Sequence, residues 1–312
     1  LLDTKVIFVR QTRGKELEDC IHALQPKEVL LMENTRFEDL NGKKESSNDE
    51  GLGKYWASLG DVFVNDAFGT IHREHASNVG ISAHLESAIG FLIEKELEEL
   101  GKLNHPKREF VVLLGGSKVS DKIGVIKNLV TKADKILIGG GMSYTFLKAK
   151  GYEIGQSLLD EENISFCKDV LSQYEEKIYL PVDTVVTDNI DEKNIVKNVS
   201  IDQIDSDLMG VDIGSKTIEA YSNLVKQAGT VLWNGPLGVY EVDAFAKGTK
   251  ALLKAVSESS AVSILGGGDI VAAATEFGYK DKVTHASTGG GATLTYLEGV
   301  ALPGLKNIAE KE

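Results

Sequence analysis

Residues 110–126 read FVVLLGGSKVSDKIGVI. A short apolar run turns through two glycines into a helix-like stretch, which is half of a βαβ unit. The same phrase recurs along the chain. Apolar runs at 6–9, 29–32, 62–64, 110–114, 136–138, 178–180, 230–233 and 262–265 alternate with amphipathic helical stretches. The expected fold is therefore α/β, with two Rossmann-like domains built on parallel sheets. The larger sheet is expected after residue 105 and the N-terminal one to be incomplete. Ile93, Leu97, Leu100 and Leu103 fall at helical spacing, so a helix over 91–104 joins the domains and 104–106 restarts the chain as a strand. The expected division is 1–90, the joining helix 91–104, a second domain over 105–295, and a final segment, 296–312, whose stretch 302–308 is too short to be a domain and docks on something already folded. Residues 41–51, the most polar stretch, read as a surface loop leading into a helix.

Composition narrows the function. The chain has 312 residues and a net charge of -13, which argues against nucleic-acid binding through general basicity. Cys20 and Cys167 stand far apart without metal spacing and read as inert thiols. No apolar run approaches membrane length and no signal sequence opens the chain, giving an expectation of a cytoplasmic protein with no membrane partner. The chain starts at Leu1 and is soon in a strand-like run, so a lost start is expected.

Four segments end in glycine runs: 115–116, 139–141, 266–268 and 289–291. Glycine lets backbone N–H groups approach an anion, and the following helix N-terminus adds partial positive charge. Any one run serves a tight turn equally well; four together point to a phosphate site in one crevice beyond the strand ends. Neither GxxxxGK[ST] nor GxGxxG is present, so another architecture is expected. DAFG at 66–69 and HREHASN at 72–78 are in the wrong order for protein-kinase loops. His72 and His75 read as a solvated or hydrogen-bonded pair rather than zinc ligands.

Lys118 and Lys122 follow the first glycine turn, with Ser120 a candidate N-cap. The lysine pair suits a polyphosphate, or is simply solvated. Asp269 follows the third run, as a Mg²⁺ ligand or as a helix cap. Glu241 could accept hydrogen bonds from ribose hydroxyls; alone it would be a surface acid.

In order, LLMENTRF (30–37), VNDAFGTIHREHAS (64–77), LGGSKVSDKIGVI (114–126), IGGGMSYTF (138–146), VLWNGPLGVYE (231–241), LGGGD (265–269) and STGGG (287–291) resemble the phosphoglycerate kinase family over the entire chain. The resemblance implies reversible phosphoryl transfer between 1,3-bisphosphoglycerate and ADP, giving 3-phosphoglycerate and ATP, by a monomer with Mg²⁺. It implies in-line transfer on domain closure, with the N-terminal domain binding the acceptor and the C-terminal domain the nucleotide. Residue by residue, it implies Arg36 and Arg73 as acceptor ligands. Lys118, Lys122, Gly139, Gly140, Asn234, Pro236, Glu241, Gly267, Gly268, Asp269 and Ile270 would be nucleotide ligands, with Asp269 on the metal. Lys122, Gly268 and Gly290 would act in catalysis. The final glycine run and 302–308 resemble the hinge and tether that return to the first domain.

Departures are also readable. The family's opening segment, with its aspartate-x-asparagine pair, catalytic arginine and histidine-glycine-arginine-proline loop, is not in the sequence. Ile270 stands in place of a hydroxyl residue, Ser215 in place of proline and Ser117 in place of alanine. The alternative expectation is a nucleotide-binding relative with weak or no turnover; a nucleotide-binding α/β enzyme of another class is a third.

Overall fold

A computed structural model describes residues 3–191 and 195–308; the end of the expected returning segment, 309–312, lies outside them. The chain forms two compact units, one of Leu1–Lys95 with Ala301–Glu312 and one of Glu96–Val300.

In the first unit, β1 (Val6–Val9) pairs in parallel with β2 (Val29–Met32), and β3 (Phe63–Asn65) with β4 (Ser87–Ile89). The strand expected at 62–64 lies one residue later, because Phe63 N–H bonds the Glu86 carbonyl and Asn65 O receives Gly90 N–H. The helix Glu50–Ala57 starts where Asp49 accepts the Leu52 N–H at 2.8 Å. It buries Leu52 and Trp56 against Ala76, Met32 and Ile81. A Cβ at Gly53 would lie 2.7 Å from Gly80 Cα, so these backbones touch only because both residues are glycine. Residues 301–308 belong to the same unit, Gly304 N–H bonding Ile71 O at 2.8 Å.

The polar stretch 41–51 is more than a surface loop. Glu45 within it is 1% exposed and accepts hydrogen bonds from Thr35 Oγ1 (3.1 Å), Ser77 N–H (3.0 Å) and the Ser77 hydroxyl. A carboxylate with this many donors is tolerated inside, and polarity alone gave the wrong exposure.

The second unit contains β5 (Phe110–Leu114), β6 (Lys135–Ile138), β7 (Ile178–Tyr179), β8 (Asp183–Thr187), β9 (Val196–Ser200), β10 (Met209–Ile213), β11 (Thr230–Asn234), β12 (Val262–Leu265) and β13 (His285–Ala286). Six of them make a parallel sheet in the order β13-β12-β11-β5-β6-β7. Every residue of β5 and β11 is buried, as expected of central strands covered by helices on both faces. Val111, Leu113, Val231 and Trp233 meet Leu252, Val256 and Ile270 in the main core. The chain builds outward from β5 through β6 to β7, then returns to place β11 on the other side of β5. The order thus switches between β5 and β11, where open sheets leave a crevice beyond the strand ends.

An antiparallel sheet, β10-β8-β9, stands beside this parallel one and was not expected. Its middle strand, DTVVT, opens on a charge, yet all five residues are buried. Asp183 earns its place by accepting from Lys216 N–H (3.0 Å), Thr217 N–H (2.8 Å) and Asn198 Nδ2 (2.9 Å), which caps the helix Ser215–Lys226 from outside. Ser215 N–H donates to Asn198 Oδ1 at 2.8 Å, a bond proline could not make. Among the described residues no helix is long and apolar enough to cross a membrane.

Candidate functional site

The glycine turns beyond β5, β6 and β11 lock together through their backbones. Gly115 N–H donates to Asn234 O (2.9 Å), Gly116 N–H to Pro236 O (3.0 Å), Gly139 N–H to Leu114 O (2.9 Å) and Gly140 N–H to Leu237 O (3.0 Å). A Cβ at Gly115 would lie 2.0 Å from Pro236 O. These glycines permit close approach of backbone to backbone, and their N–H groups are already used. The first two runs therefore shape a wall, and Gly115, Gly116, Gly139 and Gly140 do not cradle phosphate by their amides.

The third run differs. Gly267, at φ 115°, turns the chain from β12 into the helix Gly268–Glu276. The N–H groups of Gly268, Asp269 and Ile270 have no acceptor among the described residues, as in the open first turn of any helix. Asp269 is exposed, and among the described residues no hydrogen bond or ion pair engages its carboxylate.

A cavity of about 350 Å³ lies against these turns, lined by Gly116, Ser117, Gly140, Gly141, Tyr144, Leu158, Gly210, Val211, Pro236, Gly238, Val239, Tyr240, Glu241 and Asp269. Four expected residues, Gly140, Pro236, Glu241 and Asp269, are thus brought together. Gly139 sits behind the wall, where a Cβ would meet Leu237 Cδ2 at 2.6 Å. Asn234 is buried beneath Gly267; its Nδ2 donates to Gly266 O, and its Oδ1 has no partner among the described residues.

Lys122 is 9% exposed and ends a 3₁₀ turn, Ser120–Lys122. Burial pulls its ammonium below the usual lysine range, while Asp121, Asp269 and Glu298 act the other way. Lys122 is absent from the cavity lining, and the Asp269 carboxylate acts on it only through space, without an ion pair among the described residues. Lys118 is exposed and absent from the lining, with its charge felt by Asp160. Ser120 does not cap with its hydroxyl; its N–H donates to Asp160 Oδ2 at 2.9 Å.

Ile270 is fully buried in the main core, so only its N–H faces the helix start. Gly290, at φ 34°, begins the helix Gly290–Leu297. In the first unit, Arg36 pairs with Asp39 Oδ2 at 3.2 Å and reaches His75 Nε2 at 3.4 Å, while Arg73 Nε donates to His72 Nε2 at 3.2 Å. The histidines are hydrogen-bonded, and no group of three or more metal-ligating side chains occurs among the described residues.

Sequence reading did not single out Tyr144, Leu158, Gly210, Val211, Gly238, Val239 or Tyr240. Tyr144 and the last three lay inside recognised segments, whereas Leu158 and Gly210-Val211 reach the cavity only through tertiary structure and carry no local signal.

The family model described as phosphoglycerate kinase matches residues 1–300. A phosphoglycerate kinase of Macrococcus caseolyticus is 58% identical over 313 residues, covering 100% of this chain and 79% of that one. One of Fusobacterium nucleatum is 55% identical, with 100% and 79% covered. The solved phosphoglycerate kinase of Coxiella burnetii superposes with a TM-score of 0.87 at 40% identity, covering 97% of this chain and 77% of that one. That of Pyrococcus horikoshii gives 0.84 at 31% identity, with 97% and 78% covered. Fold, ordered motifs and relatives agree: the chain belongs to the phosphoglycerate kinase family.

Proposed function

We propose that the cavity beyond β5 and β11 holds the nucleotide in the family's reaction, phosphoryl transfer between 1,3-bisphosphoglycerate and ADP, and that Arg36 and Arg73 hold the acceptor. The observation that carries the donor assignment is the helix start at Gly268, where three N–H groups without acceptors among the described residues accompany an Asp269 carboxylate that lines the cavity and acts electrostatically on the desolvated Lys122. The adenine would lie against Gly140 and Gly141, with Gly139 and Leu237 behind them. Glu241 would accept from the ribose, and Asn234, Pro236 and Gly267 would shape the phosphate path. Lys118, exposed and outside the lining, would steady the bound nucleotide.

Asp269 fits a magnesium ion that arrives with its nucleotide. Such an ion takes one or two carboxylates and keeps phosphate and water ligands, so a free-standing cage of acidic side chains is not needed. When bound it would neutralise charge on the phosphate oxygens. The chain's own part is electrostatic and geometric. Lys122 and the N–H groups of Gly268 and Ile270, with that of Gly290, would hold the charge on the moving phosphoryl group. The acceptor is a carboxylate, ionised at neutral pH, so no side chain is required as general base. Guanidinium forks on the acceptor side suit both its carboxylate and its phosphate. The same reading makes the protein a cytoplasmic monomer, whose mass analytical ultracentrifugation checks.

The decisive experiment is Asp269→Ala, assayed in both directions across a Mg²⁺ titration. A fall in kcat of about a hundredfold, with a higher Mg²⁺ requirement, is expected. An unchanged Mg²⁺ dependence would overturn the assignment.

A further inference from the structure

Asp212, at the end of β10, is 1% exposed and is absent from the cavity lining. What it holds is the loop between Leu237 and the first turn of the helix Lys247–Glu258, which presents Val239, Tyr240 and Glu241 to the cavity. Its Oδ2 accepts Gly248 N–H at 2.7 Å, and its Oδ1 accepts Ile213 N–H at 2.9 Å. A Cβ on Gly238 would lie 2.4 Å from Oδ1, and one on Gly248 would lie 2.3 Å from the same atom. The carboxylate therefore fills the space between the two glycines that flank the loop, and its size sets their separation. The loop is fastened beside it as well: Leu237 N–H donates to Thr249 Oγ1 at 3.1 Å, and Val239 N–H to Val211 O at 2.9 Å. Phe245 is fully buried in a small core with Val185 and Val211. Burial pushes the Asp212 carboxyl up to about 7, against the Gly248 and Ile213 N–H groups and Lys247, which pull it down.

A loop fixed before its ligand arrives loses less freedom on binding. We infer that Asp212 is a positioning residue that holds Glu241 in register with the nucleotide's ribose, and so sets nucleotide affinity without touching the nucleotide. The inference rests on the proposed role of Glu241.

The test compares Asp212→Ala, Asp212→Asn, Gly248→Ala, Glu241→Gln and the double variant Asp212→Ala/Glu241→Gln. Readouts are kcat, both substrate KM values, calorimetric affinity for Mg-ADP, and the melting temperature. Asp212→Ala is expected to weaken nucleotide binding about tenfold, with KM for 3-phosphoglycerate unchanged. Asp212→Asn recovers part of the loss, because its amide oxygen still accepts from Gly248. The double variant binds nucleotide no more weakly than Glu241→Gln alone, since both changes disable one contact. If Asp212→Ala does not fold, Gly248→Ala gives the same comparison by pushing a methyl into the carboxylate's space. Equal shifts in both KM values, or additive losses in the double variant, would overturn the inference while leaving Glu241 as a ligand. A silent Glu241→Gln overturns the ribose assignment and the inference with it.

Discussion

His285 Nε2 lies 2.8 Å from Glu96 Oε2, and both side chains are buried. Glu96 Oε1 also accepts from Thr288 N–H and Thr288 Oγ1, each at 2.7 Å. This carboxylate ties the helix Phe91–Gly101 to β13 and to the turn that opens the helix Gly290–Leu297. Burial alone would raise its pKa, but the donors from His285, Thr288 and Ser287 together hold it below the ordinary value. Its contribution to stability is then fully present above the ordinary carboxylate range and is lost as pH falls through the depressed folded value. Glu96→Gln is expected to cost about 1–3 kcal/mol at pH 7. Melting curves at neutral pH and near pH 3 should show the gap between the two proteins narrowing in acid; a gap independent of pH would refute the account.

Lys122 sets function against stability. Its ammonium is desolvated in the folded chain, so its pKa falls below the unfolded value and the unfolded state binds the proton more tightly. Stability from this group therefore rises with pH through the alkaline window between the two values, and at neutral pH the full penalty remains. Lys122→Met should melt about 2 °C higher than the parent while losing roughly a hundredfold or more in kcat. A variant that is both inactive and less stable would show that the lysine is a structural anchor instead.

Ile270→Thr separates backbone from side chain at the helix start. The Ile270 side chain is fully buried beside Leu265 and Ala274, so threonine would lose apolar contact and bury a hydroxyl. A loss of about 1–2 kcal/mol is expected. The N–H that this position offers is unchanged, so kcat should stay within about twofold of the parent. A large gain in kcat would mean that the hydroxyl reaches phosphate despite the packing.

These cases show what was legible in the sequence. Central strands such as FVVLL at Phe110–Leu114 announce themselves, because burial on both faces demands an unbroken apolar run. The strand Asp183–Thr187 did not, because its burial depends on Asp183 finding donors from Lys216, Thr217 and Asn198, which lie elsewhere in the chain. Glycine runs marked where the site lies but not which run offers free N–H groups. That distinction appeared only when Gly116 and Gly140 were found bonded to Pro236 and Leu237. Asp269 and Glu241 were readable from their motifs, whereas Leu158 and Val211 reach the cavity by tertiary contact alone.

Asp39 offers a test on the acceptor side that leaves the proposed ligands untouched. Its Oδ1 accepts Ser46 N–H at 2.8 Å and Ser46 Oγ at 3.1 Å, while its Oδ2 pairs with Arg36 Nε at 3.2 Å. The Ser46 N–H holds the carboxyl below its ordinary value; burial opposes it, and the Ser46 hydroxyl and Arg36 add to the lowering. The pair is thus intact above the ordinary carboxylate range and is lost only as pH falls through the lower folded value, so it adds no slope near neutrality. Without Asp39, the Arg36 guanidinium keeps, among the described residues, only the longer 3.4 Å contact to His75 and samples more orientations. Asp39→Asn should therefore raise KM for 3-phosphoglycerate about three- to tenfold, leave KM for ATP unchanged and keep the pH profile between 6 and 8. Steady-state kinetics with each substrate varied in turn decides it, since a shift in KM for ATP would place Arg36 outside the acceptor site.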